Sequence, residues 1–526
     1  MNTEQIVAKA DDLSDGQMKE LEVQGRTILL LRVDGEYKAY VSECPHHGAP
    51  LAEGLLHEGR IRCPWHQAVF DARNGDLVEP PALDRLPHYE VRVEGDDVIV
   101  VLPSEQPSGI RPPAMAGGGE EDDRTFAIIG GGAAGLAAAE TLRQEGFRGR
   151  VVVLTREQDI SYDRTELSKR YLADSKQASP VIRPDEFFID HDIEVRTGRE
   201  VTEADVESAT ISCGEGEPLK FDTLLIATGG LPRTLGVDGE ELDGVFTLRS
   251  LADCRAIRSA ANSASSAVVV GASFIGMETA AALSQRGLKV TIVAPESAPF
   301  EQTLGEGIGT MYRKVHEKEG TEFRLGGGVE RFEGQEGAVQ YALLSSGERL
   351  KADLVIVGIG VRPATDFLKG MQTNEDGSIS VDANMKAAEN VFAAGDVARW
   401  PDWRNGAPIR IEHWRLAQQL GRTAARGMLG KDAPYLGVPF FWTSQHKLIT
   451  EYVGHTAGWK DIVFDGSPAE QDFLAYYVTD GRVHAVAGCG RSWEMAAVAE
   501  VLKGAQHPTV DELRERLEQM RRPQPA

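Results

Sequence analysis

Cysteine is scarce. Five in 526 residues are too few and too irregularly spaced for a disulfide framework, which points to a reducing compartment. No apolar run approaches the ~18 residues a membrane span needs. The opening MNTEQIVAKADDLSDG has neither the apolar core of a secretory signal nor the Arg-rich, acid-poor character of a transit peptide. Basic residues are in deficit, 56 Lys and Arg against 81 Asp and Glu, giving a net charge of −25. That balance argues against nucleic acid or an anionic membrane surface as a partner. An acidic solvated surface explains it, and a basic protein partner is the functional alternative. These deficits predict a soluble cytoplasmic protein, and the length predicts three or four domains.

What is present begins with short β-rich runs in residues 1–104: TILLLRV, an Asp34-Gly35 turn, EYKAYV, HYEVRV and DVIVVL. They predict a small all-β domain. Within it stand Cys44-Pro45-His46 and, after sixteen intervening residues, Cys63-Pro64-Trp65-His66. Two thiolates and two imidazoles, one of each per loop, are the complement of a [2Fe-2S] centre with Cys on one iron and His on the other. Zinc also accepts two Cys and two His, although a zinc finger groups like ligands together.

The stretches CPHHGAPL and CPWHQAVFD resemble the cluster-binding loops of Rieske proteins. The resemblance implies Cys44, His46, Cys63 and His66 as ligands, with His47 a solvated neighbour. Respiratory Rieske proteins carry a further cysteine in each loop, where this chain has Gly48 and Gln67. It therefore resembles the ferredoxin type associated with oxygenases, which implies the lower part of the roughly −150 to +300 mV range. The following SEQPSGIRPPAMAGGGEEDD, between Pro103 and Arg124, reads as a flexible tether that lets the β domain reorient.

Thr125 to Gly135, TFAIIGGGAAG, delivers a strand into Gly130, Gly132 and Gly135 and then an Ala-rich helix. This is a dinucleotide-binding turn, in which helix N-terminus and bare backbone face a pyrophosphate. Glu157, at the end of the next strand, is the candidate for a ribose hydroxyl. AVVVGASFIGMETAAAL repeats the pattern with Gly271, Ser273 and Gly276, and KVTIVAPE ends on Glu296. A carboxylate there accepts from the ribose hydroxyls of NADH and repels the 2′-phosphate of NADPH.

ISYDRTELSKRYL, FDTLLIATGG and NVFAAGDVAR, in that order, resemble the motifs of flavin-dependent ferredoxin reductases and apoptosis-inducing-factor-like proteins. The resemblance implies that Arg164, Thr228, Gly229 and Asp396 contact FAD. It implies that Lys169 sits beside the flavin ring and pairs with Glu278, the two groups that tune charge there. It further implies that Gly360, in LVIVGIGVRP, closes the NAD unit and that Trp414 lies along the flavin. VPFFWTSQHKLITEYVG resembles the start of the reductases' small C-terminal domain, with FWTSQ departing from the more common Trp-Ser-Asp-Gln.

The expected architecture is multidomain: an all-β Rieske domain (1–104), a linker (105–124), and two Rossmann-like α/β units in the glutathione-reductase manner. These are an FAD unit (125–250 and 375–434) and an NAD unit (251–374), followed by a small α+β domain (435–526). The expected function is an NADH-dependent flavoprotein reductase passing electrons through FAD to the Rieske cluster and on to an oxygenase or P450. Alternatives are an apoptosis-inducing-factor-like NADH-sensing interaction protein, or a disulfide or peroxide reductase. The last lacks its redox cysteine, since Ser168-Lys169 stands where one is expected and no Cys-x-x-Cys occurs.

Overall fold

The structure, a computed structural model, describes residues 2–107, 111–119, 122–214 and 216–521. The N-terminal domain is all-β. Its six-stranded antiparallel sheet runs in the order Thr3–Lys9, Asp97–Leu102, His88–Glu94, Glu36–Val41, Arg26–Val33 and Met18–Val23. The turn at Asp34 and Gly35 has positive φ at both residues, which matches the twist of its hairpin. In a second, four-stranded sheet of short strands, Leu55–His57 to Leu77–Glu79, the Cys63 loop joins Arg60–Arg62 to Val69–Asp71, and the Cys44 loop lies in the connection from Glu36–Val41 to Leu55–His57.

Two α/β units follow. In the first, Ile193–Arg196, Arg150–Leu154, Thr125–Ile129, Thr223–Ile226 and Val391–Ala393 are parallel, and Lys386–Ala388 closes the edge antiparallel. Buried on both faces, these strands are continuous apolar runs such as Val151-Val152-Val153-Leu154. The second unit is a five-stranded parallel sheet: Val245–Thr247, Leu354–Val357, Ser266–Val270, Lys289–Ala294, Glu322–Leu325. Its edge strand Val245–Thr247 precedes residue 251, so this unit starts earlier in the chain than the sequence pattern indicates. The C-terminal domain is a five-stranded antiparallel sheet, Phe440–Gln445 to Arg482–Cys489, with helices Ser492–Val501 and Val510–Met520 packed on it.

The Rieske-like domain is seated on the rest of the chain through buried charge. Arg415, only 1% exposed, lies in the helix Trp414–Met428 and donates to the Pro80 carbonyl at 2.8 Å, the Gln67 carbonyl at 3.0 Å and the Glu79 carboxylate. Arg62 pairs with Glu500, Lys503 with Glu79, and Arg183 with Asp84. Leu55 joins the core of the C-terminal domain.

Residues 111–119 differ from the expected loose tether. The Arg111 guanidinium donates to the Leu86 carbonyl, the Ala116 N–H to the Arg143 carbonyl, and the Gly118 N–H to Asp192, while Met115 packs on the first α/β core. Composition marks this segment as polar and Gly-rich, but its backbone donors find partners along the surface it crosses. Residues 108–110 and 120–121 of the expected tether lie outside the described residues. No helix of the described residues is long and apolar enough to cross a membrane.

Candidate functional site

The two glycine turns open the site. Gly130 has φ +115, and a Cβ there would stand 2.2 Å from the Ala227 carbonyl oxygen; one on Gly135 would stand 1.9 Å from that of Gly130. Gly271 and Gly276 repeat the arrangement at 2.3 and 2.1 Å from the carbonyls of Gly358 and Gly271. Gly132 is different: a Cβ there meets nothing within 4 Å. Packing does not require that glycine, and its bareness keeps the N-terminus of Ala133–Gln144 clear for a phosphate. Ser273 holds the equivalent cap of Phe274–Gln285 without a side-chain capping bond.

Between these turns lies a cavity of ≈640 Å3. Gly130, Gly132, Glu157, Arg164, Lys169, Thr228, Gly229, Asp396 and Trp414 wall it from one side, and Ser273, Glu278 and Gly360 from the other. Gly135 lies beneath the first turn. Gly271, Gly276 and Glu296 do not wall the cavity; Glu296 is half-buried just past the strand Lys289–Ala294.

The wall is polar and internally paired. Glu157 accepts from Arg164 at 2.9 Å and from the Tyr162 hydroxyl, while Asp396 accepts from Arg249 at 2.9 Å. Lys169 Nζ donates to Glu278 at 2.8 Å, and the same carboxylate accepts from Ser168 at 2.5 Å and Thr443 at 2.7 Å. His413 carries a buried Nδ1 with no partner among the described residues, and burial lowers its pKa to about 3, so it presents a neutral imidazole. An elongated dinucleotide with a polar chain and an apolar ring fits such a wall.

The second half of the site is the pair of Cys/His loops. Cys44 and Cys63 are 2% and 1% exposed, and the neighbouring Cys63 thiol together with burial pushes the Cys44 thiol well up. Burial also opposes ionisation of Cys63, but the Cys44 thiol and the His66 and Trp65 N–H groups outweigh it, so its pKa falls. His46 Nδ1 and His66 Nδ1 face each other at 3.0 Å. Burial lowers the pKa of both rings, leaving them neutral and able to ligate. Two sulfurs and two imidazole nitrogens converging in one buried pocket are the donor set a Rieske [2Fe-2S] centre requires.

These loops meet the cavity. His46 Nε2 faces Asp163 Oδ2 at 3.7 Å, and His47 Nε2 faces the same oxygen at 3.4 Å. His47, expected as a solvated neighbour, is exposed, and its hydrogen bond to Asp163 raises its pKa. Asp163 also caps the short turn Arg164–Ser168 through Thr165, and Arg164, Ser168 and Lys169 of that stretch line the cavity. Trp442 lines the cavity too, with its ring centroid 4.2 Å from that of His66. Sequence reasoning missed Trp442, Asp163, Arg249 and Arg415. The irregular FWTSQ stretch and the aspartate of YDRTELSK were the available signals, and neither names its partner.

The Pyridine nucleotide-disulphide oxidoreductase family matches residues 124–421, the Rieske [2Fe-2S] domain residues 3–90, and the Reductase C-terminal domain residues 440–522. The chain is 37% identical to human "Apoptosis-inducing factor 3" over 95% of its own length and 84% of that protein's. It is 33% identical to the biphenyl dioxygenase system ferredoxin–NAD(+) reductase component of Paraburkholderia xenovorans, over 70% of this chain and 90% of that one. A solved ferredoxin reductase for the CYP199A2 system of Rhodopseudomonas palustris superposes with a TM-score of 0.69 at 29% identity, covering 74% of this chain and 96% of that one. The chain thus belongs to the pyridine nucleotide-disulphide oxidoreductases, as an FAD- and NADH-using oxidoreductase of ferredoxin-reductase type that carries a Rieske [2Fe-2S] domain.

Proposed function

We propose that this chain moves electrons from NADH, by way of FAD, to its own Rieske cluster, and from there to a separate protein. One observation carries the reading: Trp442 walls the flavin cavity and lies against His66 at 4.2 Å, so a single side chain spans the two sites. Bound FAD supplies acceptance of a hydride and its release as single electrons, and the [2Fe-2S] centre carries one electron at a time.

The chain's own residues bind, orient and seat. Cys44, His46, Cys63 and His66 hold the cluster. Glu157, Arg164, Thr228, Gly229 and Asp396 hold FAD beside the turn at Gly130–Gly135. Arg249 pairs with Asp396 and holds that carboxylate in place at the cavity wall. Lys169, fixed by Glu278 and the Thr165 carbonyl, would place its ammonium beside the flavin ring, and Trp414 would help wall the ring's pocket. Ser273, Gly360 and Glu296 address NADH, with Glu296 selecting against a 2′-phosphate. No side chain needs to accept a proton for hydride transfer.

Relatives named for a dioxygenase system and for a P450 system support an oxygenase or P450 as the acceptor. Five cysteines, two of them cluster ligands and none in a disulfide among the described residues, support a reducing, cytoplasmic setting. Disulfide reduction finds no support: Cys254 is buried, bonded to the Leu167 carbonyl and pushed up to about 12, and does not wall the cavity. A second reading, an NADH-sensing interaction protein, is favoured by the relative named "Apoptosis-inducing factor 3", which matches 95% of this chain and 84% of its own length. Rapid NADH reduction of flavin and cluster together supports the carrier; slow reduction of both supports the sensor. In the carrier, His66→Ala removes the Rieske paramagnetic signal and leaves NADH oxidation by small dyes intact. Loss of both would sink the modular reading.

A further inference from the structure

Seating the cluster loops on the flavoprotein hides the edge by which they hand over electrons internally. The His46 side chain is 9% exposed with its outer nitrogen toward Asp163, and His66 is covered by Trp442. Arg415 holds the Gln67 carbonyl, next to His66, from within the same helix that presents Trp414 to the cavity. Charges this buried are costly to separate, so an external acceptor meets the loops in their seated pose.

One flank stays open. Trp65 is 39% exposed, and its ring lies edge-on to His66 at 6.3 Å. His47 is beside it, 34% exposed, with its ring 5.5 Å from His66. His66 thus neighbours two indoles, Trp442 of the cavity wall and the exposed Trp65. An open indole is the residue type most often found as the anchor of a protein interface. Exposed Glu43 precedes Cys44, and exposed Glu53 adjoins Gly54, which packs near Pro64 of the second loop. The whole chain carries −25.

We propose that Trp65, with His47 beside it, is the docking and exit point for a one-electron redox protein that presents a basic face. The inference rests on the electron-carrier reading above and adds where the partner sits and what charge it bears. In balance, one NADH yields NAD+, one proton and two electrons, and two partner molecules are each reduced by one. Trp65 makes or breaks no bond; it seats the partner against the open side of the cluster loop.

The probe is oxidised cytochrome c, a basic one-electron acceptor, with the full-length protein carrying FAD and cluster. Trp65→Ala lowers the second-order rate of cytochrome c reduction on the order of tenfold, as loss of an interface anchor does, and Trp65→Phe restores most of it. Glu53→Lys lowers the rate at low salt and flattens its dependence on ionic strength. In all three, NADH raises the cluster's paramagnetic signal at the wild-type rate, and in His66→Ala cytochrome c reduction collapses. Unchanged cytochrome c rates in Trp65→Ala and Glu53→Lys overturn the inference. So does equal slowing of internal cluster reduction in Trp65→Ala, or full cytochrome c reduction in His66→Ala. A wild-type protein whose cluster is not reduced by NADH overturns the carrier reading itself, and is told apart by that signal alone.

Discussion

Replacing Glu79 by Gln removes the carboxylate that neutralises Arg415 in the domain seat. Arg415 would keep its bonds to the carbonyls of Pro80 and Gln67, but its buried charge would face Arg62 and Lys503 with only Glu500 nearby. Breaking one partner of a buried pair costs about 3–5 kcal/mol, which is about two to four orders of magnitude in the seating equilibrium. The covalent connection supplies an effective concentration in the millimolar range, so undocking becomes populated without complete loss of contact. The assay is stopped-flow cluster reduction by NADH, beside limited proteolysis between residues 104 and 124. Glu79→Gln should slow the cluster phase, leave flavin reduction unchanged and raise proteolysis. A double change, Glu79→Gln with Arg415→Met, should recover much of the loss, because no unpaired charge remains buried. If the single change leaves both readouts at wild-type level, or the double is no better than the single, the seat is not held by this charge pair.

Trp442→Ala should slow cluster reduction on the order of tenfold through lost positioning, with Trp442→Phe intermediate and flavin reduction by NADH unaffected. Lys169→Met should lower the rate of flavin reduction by NADH by roughly 10²-fold, the loss typical of one removed charge-stabilising donor, and shift the flavin potential downward in a spectroelectrochemical titration. Glu296→Ser should narrow the preference for NADH over NADPH by about tenfold, read as the ratio of kcat/KM values. Glu451 is buried with Oε1 unpartnered among the described residues, and burial pushes its pKa well above 4.5. Its stabilising contribution is full below pH 4.5 and is lost as pH rises through the higher folded value. Glu451→Gln, which cannot ionise, should therefore raise Tm at pH 8 by more than at pH 5.

The glycine turns and the Cys/His pairs were legible because their meaning is local. Gly135 answers to the Gly130 carbonyl inside one strand-turn-helix unit, and Cys44 with His46 offers a ligand pair within three residues. The pairing of Lys169 with Glu278, 109 residues apart, was reachable only through resemblance. The seat was not legible at all. Arg415 meets Glu79 across 336 residues, Trp442 meets His66 across domains, and Asp163 reads locally as a turn residue although it also faces two imidazoles. Periodicity and propensity say which face of an element is apolar, not which distant domain comes to rest on it. The segment 111–119 shows the converse: a composition that reads as loose chain is held by partners that composition does not reveal.

The most direct test of the central claim is an anaerobic NADH titration followed by absorbance and electron paramagnetic resonance on the same sample. The account predicts that flavin absorbance bleaches and a Rieske signal grows in, with two electrons per NADH shared between the two centres. Bleaching of the flavin with no Rieske signal would contradict transfer from flavin to cluster within one chain.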